Sequence, residues 1–509
     1  MKRAILLMSA VLILLLFGGC SQSAGKVEIV DDNYRNVYEI FVASFCDSNG
    51  DGTGDINGVI SKLDYLQEMG YTAIWLMPIH PSPSYHKYDV TDYYDIDPSY
   101  GTLEDFDNLV EKAHEKNINI IIDLVVNHTS SNHPWFIESW KNRLSGNSDA
   151  YVNWYNWSET PQPGYATKVN GLYYEARFVN TMPDLNLNNA EVRQEIVKIM
   201  KFWLDRGVDG FRLDAVTSYT TGNANANVTF LSWLNDEAKK LKEDCYIVGE
   251  CWDSDTAIKT YYRSGVDSFF HFSFAQADGT IAKTMTVSSA PSYFRNALKK
   301  AVEITDGHIP AIFLDNHDVN RITGGIGRSQ LEKLKFVYGL AGMFNGCLYT
   351  YYGTEIGMVG SGKDENKRIA MLWDSDNMDD LCKNPPGTTQ REYAWPGVKQ
   401  QKKDKNSLLN YHKQINYLRN KYPEIPRGDM KFYDDLMGNG ILVFEKSWNE
   451  QSCLIVINFS IEETANVDLS SIGQFKNLEY AVATTGKVTY KNNTLTLPPY
   501  AIAILSEKK

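Results

Sequence analysis

Three short apolar runs in this chain each end in a carboxylate: Gly210-Phe211-Arg212-Leu213-Asp214, Tyr246-Ile247-Val248-Gly249-Glu250 and Ile312-Phe313-Leu314-Asp315-Asn316-His317-Asp318. A buried parallel strand reads as a brief hydrophobic stretch, and in a (β/α)8 barrel the chemistry sits where such strands end. Three strands delivering acids to one mouth would build a carboxylate cluster suited to glycoside cleavage. One group attacks, one protonates the leaving oxygen, and a third holds the distorted sugar. Each acid alone could equally be a helix N-cap just past its strand. Arg212 two residues before Asp214, and the His317-Asp318 pair, weigh towards chemistry.

The elements that must position these acids alternate along the chain. Val37–Phe45, Tyr71–Met77 and Ile118–Val126 read as strands, with helices over Val59–Met69 and Leu103–Glu115. This βαβα rhythm predicts a parallel sheet with helical crossovers. Residues 128–189 break the rhythm: they are rich in Trp, Tyr, Asn and Gly without a sustained helical period, and too long for a loop. They read as a small domain inserted after the third strand. Helix Val192–Asp205, strand Gly210–Leu213, helix Leu231–Lys242 and strand Tyr246–Val248 resume the alternation. Strand candidates Ser268–Phe270, Ala311–Leu314 and Leu348–Tyr352 and a closing helix Ser407–Lys421 complete it. Beyond Arg427, apolar runs between Asn/Gly turns (Gly440–Trp448, Cys453–Phe459, Leu478–Ala483, Leu495–Leu505) fit an antiparallel β-sandwich. The predicted fold is an α/β (β/α)8 TIM barrel over residues 30–127 and 190–427, with the insert at 128–189 and the C-terminal sandwich at 428–509.

With 43% hydrophobic residues among 509, the chain can bury a large core and more than one domain. Its net charge of −13 argues against nucleic acid or an anionic membrane surface as partner, since both reward basic patches. The 31 Tyr and 11 Trp tilt the reading towards sugar rings, whose C–H faces stack on aromatics. At the N-terminus, Lys2 and Arg3 precede the apolar run Ile5–Phe17, which is a signal-peptide length. The run ends Gly18-Gly19-Cys20, resembling a bacterial lipobox. Residues 1–20 are therefore expected to be a lipoprotein-like signal, 21–29 a linker, and the mature protein an extracytoplasmic monomer. It would be membrane-anchored through Cys20, or secreted after ordinary cleavage. The other six cysteines form no CxxC pair or zinc-like spacing. They are either partly oxidised in an exported chain or buried free thiols.

One more segment could do chemistry. Asp47-Ser48-Asn49-Gly50-Asp51-Gly52-Thr53-Gly54-Asp55 places oxygen side chains at alternate positions with glycines for a tight turn, as Ca2+ requires. Gly58 stands where an EF-hand needs its bidentate Glu, and the preceding segment reads as a strand, so this is no helix–loop–helix site.

Taken in order, the segments Asp123-Leu124-Val125-Val126-Asn127-His128, Met182-Pro183-Asp184-Leu185-Asn186, Gly210–Asp214, Val248-Gly249-Glu250 and Leu314–Asp318 resemble the α-amylase family, glycoside hydrolase family thirteen. The likeness spans nearly the whole mature chain. Met-Pro-Asp-Leu-Asn is similar to the subgroup intermediate between oligo-1,6-glucosidases and neopullulanases. The resemblance implies Asp214 as nucleophile, Glu250 as acid/base and Asp318 as the residue gripping ring hydroxyls in the transition state. It implies Arg212 holding Asp214 ionised, and His128 and His317 donating hydrogen bonds to the same sugar. Tyr88 would stack beneath that sugar with His86 beside it; Trp252 would line the leaving sugar's place and Arg321 assist near Asp318. Asp47, Asn49, Asp51, Asp55 and the Thr53 carbonyl would bind a structural calcium. Two carboxyls about 5–5.5 Å apart give a retaining double displacement. The leading expectation is an endo-acting α-amylase on α-1,4 bonds of starch or maltooligosaccharides. The alternatives are an exo-acting α-glucosidase or oligo-1,6-glucosidase/neopullulanase-like enzyme and, more remotely, a non-catalytic glycan-binding lipoprotein that keeps the fold.

Overall fold

The computed structural model describes residues 27–147, 151–169 and 171–507. The expected signal peptide, with Cys20, and most of the expected linker lie outside the described residues. Eight short strands form one parallel sheet: β1 Asn36–Ile40, β2 Ala73–Leu76, β3 Asn119–Leu124, β4 Gly210–Leu213, β5 Tyr246–Gly249, β6 Ser268–Phe269, β7 Ala311–Phe313 and β8 Cys347–Tyr351. β1 pairs with both β2 and β8, and a parallel bridge between Phe270 and Ala311 joins β6 to β7, so the sheet closes into a barrel. The expected (β/α)8 barrel is what these residues build.

The two-residue period of a strand sorts its side chains. Val37, Trp75, Ile121, Val248, Phe313 and Tyr349 point inward and pack together as the barrel interior. Their neighbours Tyr38, Ile74, Ile120, Ile122, Phe211 and Ile247 point outward into the layer of helices. Both faces are buried, which is why the strands read as unbroken apolar runs. Near the strands' C-terminal ends the inward positions turn polar: Glu39, Asp123 and Arg212 are all buried there.

Several element boundaries differ from the sequence reading. The first strand stops at Ile40, and Val42–Ser44 forms a 3-10 turn. The next helix is broken at Lys62 into Ile56–Ser61 and Leu63–Glu68. The inserted segment does hold a helix, Pro134–Ser145, capped by the His133 side chain at Trp135 N. A three-stranded antiparallel sheet (Trp157–Ser158, Tyr165–Val169, Leu172–Glu175) accompanies it. Phe136, Trp157 and Tyr174 form its small aromatic core. That helix escapes a periodicity search because its buried face is short and aromatic.

At the C-terminus a five-stranded sheet packs one face on a three-stranded sheet, through residues such as Val443, Val456, Leu495 and Leu505. Its other face, with Leu442, Phe444, Ile455 and Ile504, lies on the barrel's helical layer. The apolar stretch Leu495–Leu505 is two strands, Thr494–Leu497 and Ala501–Glu507, split by Pro498-Pro499. Proline cannot donate to a ladder, so the chain turns there and changes sheet. All six cysteines among the described residues are buried free thiols. No helix among the described residues is long and apolar enough to cross a membrane.

Candidate active site

Asp214 follows β4 directly, Glu250 follows β5 directly, and Asp318 lies on the loop beyond β7. All three line one cleft of about 430 Å³ at the C-terminal end of the barrel. Its organising group is Arg212, an inward residue of β4 that is fully buried. Arg212 Nη1 donates to Asp214 Oδ1 and to Asp123 Oδ1, both at 2.7 Å, and Nη2 donates to Glu250 Oε2 at 2.8 Å. One planar guanidinium thus ties together carboxylates from three consecutive strands. A buried cation without such partners would be strongly destabilising.

The environments push Glu250 and Asp318 in opposite directions. Burial raises Glu250 to about 7; Arg212 opposes this, and Asp214 and Asp318 add to it. The Glu250 Oε2 atom accepts from Arg212 and from the Ala215 N–H at 2.9 Å, which leaves Oε1 to carry a proton. Ala215 is itself in the left-handed region (φ 45), a strained turn of the kind that gathers at functional sites. Burial works upward on Asp318 too, but His317 and Arg368 outweigh it and hold it well below the usual carboxylate range. Asp318 Oδ2 lies 3.0 Å from His317 Nε2 and Oδ1 lies 3.1 Å from Arg368 Nη2. A proton donor and a permanently ionised group therefore share one cleft.

Of the other residues singled out in the sequence, His86, Tyr88, His128 and Trp252 line the cleft. Tyr88 is held by its hydroxyl, 2.7 Å from His317 Nε2. His128 is buried, with Nε2 3.2 Å from the Tyr88 carbonyl, and burial lowers its pKa, so it stays neutral. Trp252 is 54% exposed and stacks on Phe272 at 5.0 Å. His317 is buried beside two cleft residues, with Nε2 3.0 Å from Asp318 Oδ2 and Nδ1 2.6 Å from Glu39 Oε1. Burial disfavours its charge, yet Asp318 and Glu39 raise it to about 9, so it is a cation that positions its neighbours. One expectation needs correction. Arg321 does not assist Asp318: its guanidinium donates to the Tyr352 and Lys367 carbonyls and stacks on Tyr351.

Arg368 takes the place expected of Arg321. It follows the short helix Asp364–Lys367 in the loop after β8. No apolar run announces it; a basic residue on the βα loop after the last strand was the one available signal. Arg368→Gln is expected to lower kcat by about 10²-fold with KM changed far less, because it removes charge stabilisation around Asp318. Steady-state kinetics on a maltooligosaccharide would check this, and an unchanged kcat would refute the role.

The oxygen-rich loop after β1 is wound on itself. The Asp47 carboxylate accepts from the N–H groups of Asn49, Gly50 and Gly52, and Asp55 caps the following helix at Gly58 N. Lys383 Nζ donates to the Asp51 carbonyl at 2.6 Å. The all-oxygen donor set (Asp47, Asn49, Asp51, Thr53, Asp55) fits a hard dication in its chemistry. Among the described residues, however, no group of three or more His, Cys, Asp or Glu side chains is arranged to hold a metal ion.

Comparison with known proteins agrees with this geometry. The model of the α-amylase catalytic domain matches residues 39–428. Alpha-amylase 3 of Dictyoglomus thermophilum is 38% identical over 483 residues, covering 93% of each chain. The oligo-1,6-glucosidase of Bacillus cereus is 31% identical, covering 84% of this chain and 90% of its own. The solved structure of Eubacterium rectale Amy13B superposes with a TM-score of 0.90 at 42% identity, covering 94% of this chain and 97% of that one. With its barrel, its bridged carboxylates and these relatives, the chain belongs to the α-amylase family and is a glycoside hydrolase.

Proposed function

We propose that the enzyme is an endo-acting α-amylase that cleaves α-1,4-glucosidic bonds in starch and maltooligosaccharides with retention of configuration. The observation that carries this reading is the single Arg212 guanidinium bridging Asp214 and Glu250, which keeps nucleophile and acid within one sugar's reach. Asp214 Oδ2, the oxygen not held by Arg212, attacks C1. Glu250 passes its proton from Oε1 to the glycosidic oxygen, the C1–O bond breaks, and the shortened glucan leaves. The glycosyl–Asp214 ester is then opened by water, which Glu250, now a carboxylate, deprotonates. Asp318, held ionised by His317 and Arg368, binds ring hydroxyls more strongly as positive charge grows on the sugar.

Support for α-1,4 endo action comes from the full-length likeness to a protein named alpha-amylase, higher than that to the oligo-1,6-glucosidase. By resemblance to the family alone, Ala215 after the nucleophile favours α-1,4 bonds. Product sizes from amylose, pullulan and isomaltose test it. Mixed maltooligosaccharides from amylose are expected; glucose alone, or turnover of isomaltose, would replace this reading with the exo- or α-1,6-acting one.

The lipobox-like segment before Cys20 supports an extracytoplasmic protein anchored by lipid. We assign the loop of Asp47, Asn49, Asp51, Thr53 and Asp55, none of which lines the catalytic cleft, as a structural Ca2+ site. Saturating Ca2+ at 100 Kd should stabilise the fold by about 2.7 kcal/mol. A chelator should therefore lower Tm by a few degrees, reversibly, and Asp51→Ala should abolish that shift. A Tm indifferent to both would remove calcium from the description.

A further inference from the structure

Beneath the cleft the barrel interior holds an acid to which the proposed reaction gives no task. Glu39 is the penultimate residue of β1 and is 1% exposed, so it meets no substrate. Its Oε1 lies 2.6 Å from His317 Nδ1. A carboxylate has no proton to offer, so Nδ1 must carry one to make this bond. The other ring nitrogen, Nε2, lies 3.0 Å from Asp318 Oδ2 and 2.7 Å from the Tyr88 hydroxyl. Asp318, held ionised, can only accept as well, so Nε2 must also carry a proton. A ring protonated on both nitrogens is the imidazolium.

The neutral ring would undo this arrangement. Bonded to Glu39 through Nδ1–H, it would turn a lone pair on Nε2 towards the Asp318 carboxylate. The Tyr88 hydroxyl would have to donate to that lone pair, leaving Asp123 Oδ2, 3.4 Å away. Other charges reach the ring only through its partners. Arg212 on β4 pairs with Asp123 on β3, and Arg368, after β8, pairs with Asp318. From β8 come Tyr349 and Tyr351, both neutral because burial raises them, and from β2 the Trp75 ring at 5.6 Å. Burial pushes Glu39 up, against His317 and Arg212. Burial would likewise discharge His317, were Asp318 and Glu39 not beside it.

We infer that Glu39 is a positioning residue whose charge keeps His317 an imidazolium, and so keeps Asp318 and Tyr88 in working geometry, given that Asp318 acts on the sugar as proposed above. Glu39→Gln keeps the shape and an acceptor for Nδ1–H but removes the charge. His317, a cation up to about pH 9, should then become neutral about two pH units lower, within the range of catalysis.

The first test reads the ring itself. In 15N-histidine spectra of the whole chain, the His317 signal is assigned by its absence from His317→Asn. It should titrate near pH 9 in the unsubstituted protein and about two pH units lower in Glu39→Gln. Glu39→Asp, which keeps the charge on a shorter arm, should titrate between the two. The same midpoint in all three would overturn the inference. The second test reads the chemistry without Glu250. In Glu250→Gln, with an aryl α-glucoside whose phenol leaves unprotonated, the burst rate should have no alkaline limb in the neutral range. Adding Glu39→Gln should create one at the new His317 midpoint, with the rate about tenfold lower above it, as for one charge-assisted hydrogen bond. A merely structural role would lower the rate equally at every pH, and that result would also overturn the inference. Failure of the catalytic reading would show separately, as absence of any burst in Glu250→Gln alone, while the spectra would still decide the charge of His317.

Discussion

Glu250→Gln is expected to lower kcat/KM on amylose by about 10³-fold while the folded protein still binds the polymer. The amide keeps the shape and still meets Arg212 and the Ala215 N–H at one end, but it has no proton to give. The loss should depend on the leaving group. An aryl α-glucoside whose phenol leaves without protonation needs no acid, so its first step should be nearly normal and the glycosyl–Asp214 ester should accumulate as a burst. Azide should then rescue turnover and yield an α-glycosyl azide, because it attacks the ester from the face the water used. The pH profile carries the same assignment. The unsubstituted enzyme requires Glu250 protonated, and its pKa is raised to about 7, so kcat/KM should fall as pH rises through about 7. With the aryl substrate and Glu250→Gln, that alkaline limb should vanish. A limb that persists unchanged would place the titrating acid elsewhere.

How much of this was legible in the sequence follows from what each residue does. Asp214 and Glu250 directly follow strands buried on both faces, so a short apolar run followed by an acid gave their positions in the barrel. Asp318 sits after a loop, but His317 beside it marked the spot. What the sequence did not show is which polar side chains face one another across the barrel mouth. Glu39 and Asp123 lie inside strands, where an acid looks like an interruption of the apolar pattern; in the fold they neutralise His317 and Arg212. Arg321 and Arg368 both lie in the chain after β7, and only packing decides that the first stacks on Tyr351 and the second reaches Asp318. The helices Ala290–Thr305 and Leu331–Gly342 also went unread. The second is buried along most of its length between barrel and C-terminal domain, so it has little polar face to give a period.

Asp214→Gly is expected to be the most damaging single change, with kcat on amylose down by about 10⁵-fold. The reason is chemical: Asp214 Oδ2, the oxygen that Arg212 does not hold, is the one that forms the ester. Glu250 and Asp318 remain, so leaving-group protonation and hydroxyl binding survive without anything to form the ester. Azide should again restore activity towards an activated α-glucosyl substrate, but from the space the carboxylate vacated, and the product should be the β-glycosyl azide. The two azide products therefore have opposite anomeric configuration and assign the two carboxylates without relying on rate alone. The same variant should shift the alkaline limb to lower pH, because Asp214 is one of the charges holding Glu250 protonated, while Arg212, relieved of one carboxylate, pulls harder on the other. An alkaline limb that stays where it was would mean that Asp214 does not hold Glu250 protonated. An α-azide from Asp214→Gly would mean that the group attacking C1 is not Asp214. The double displacement would then have to be rebuilt around a different carboxylate.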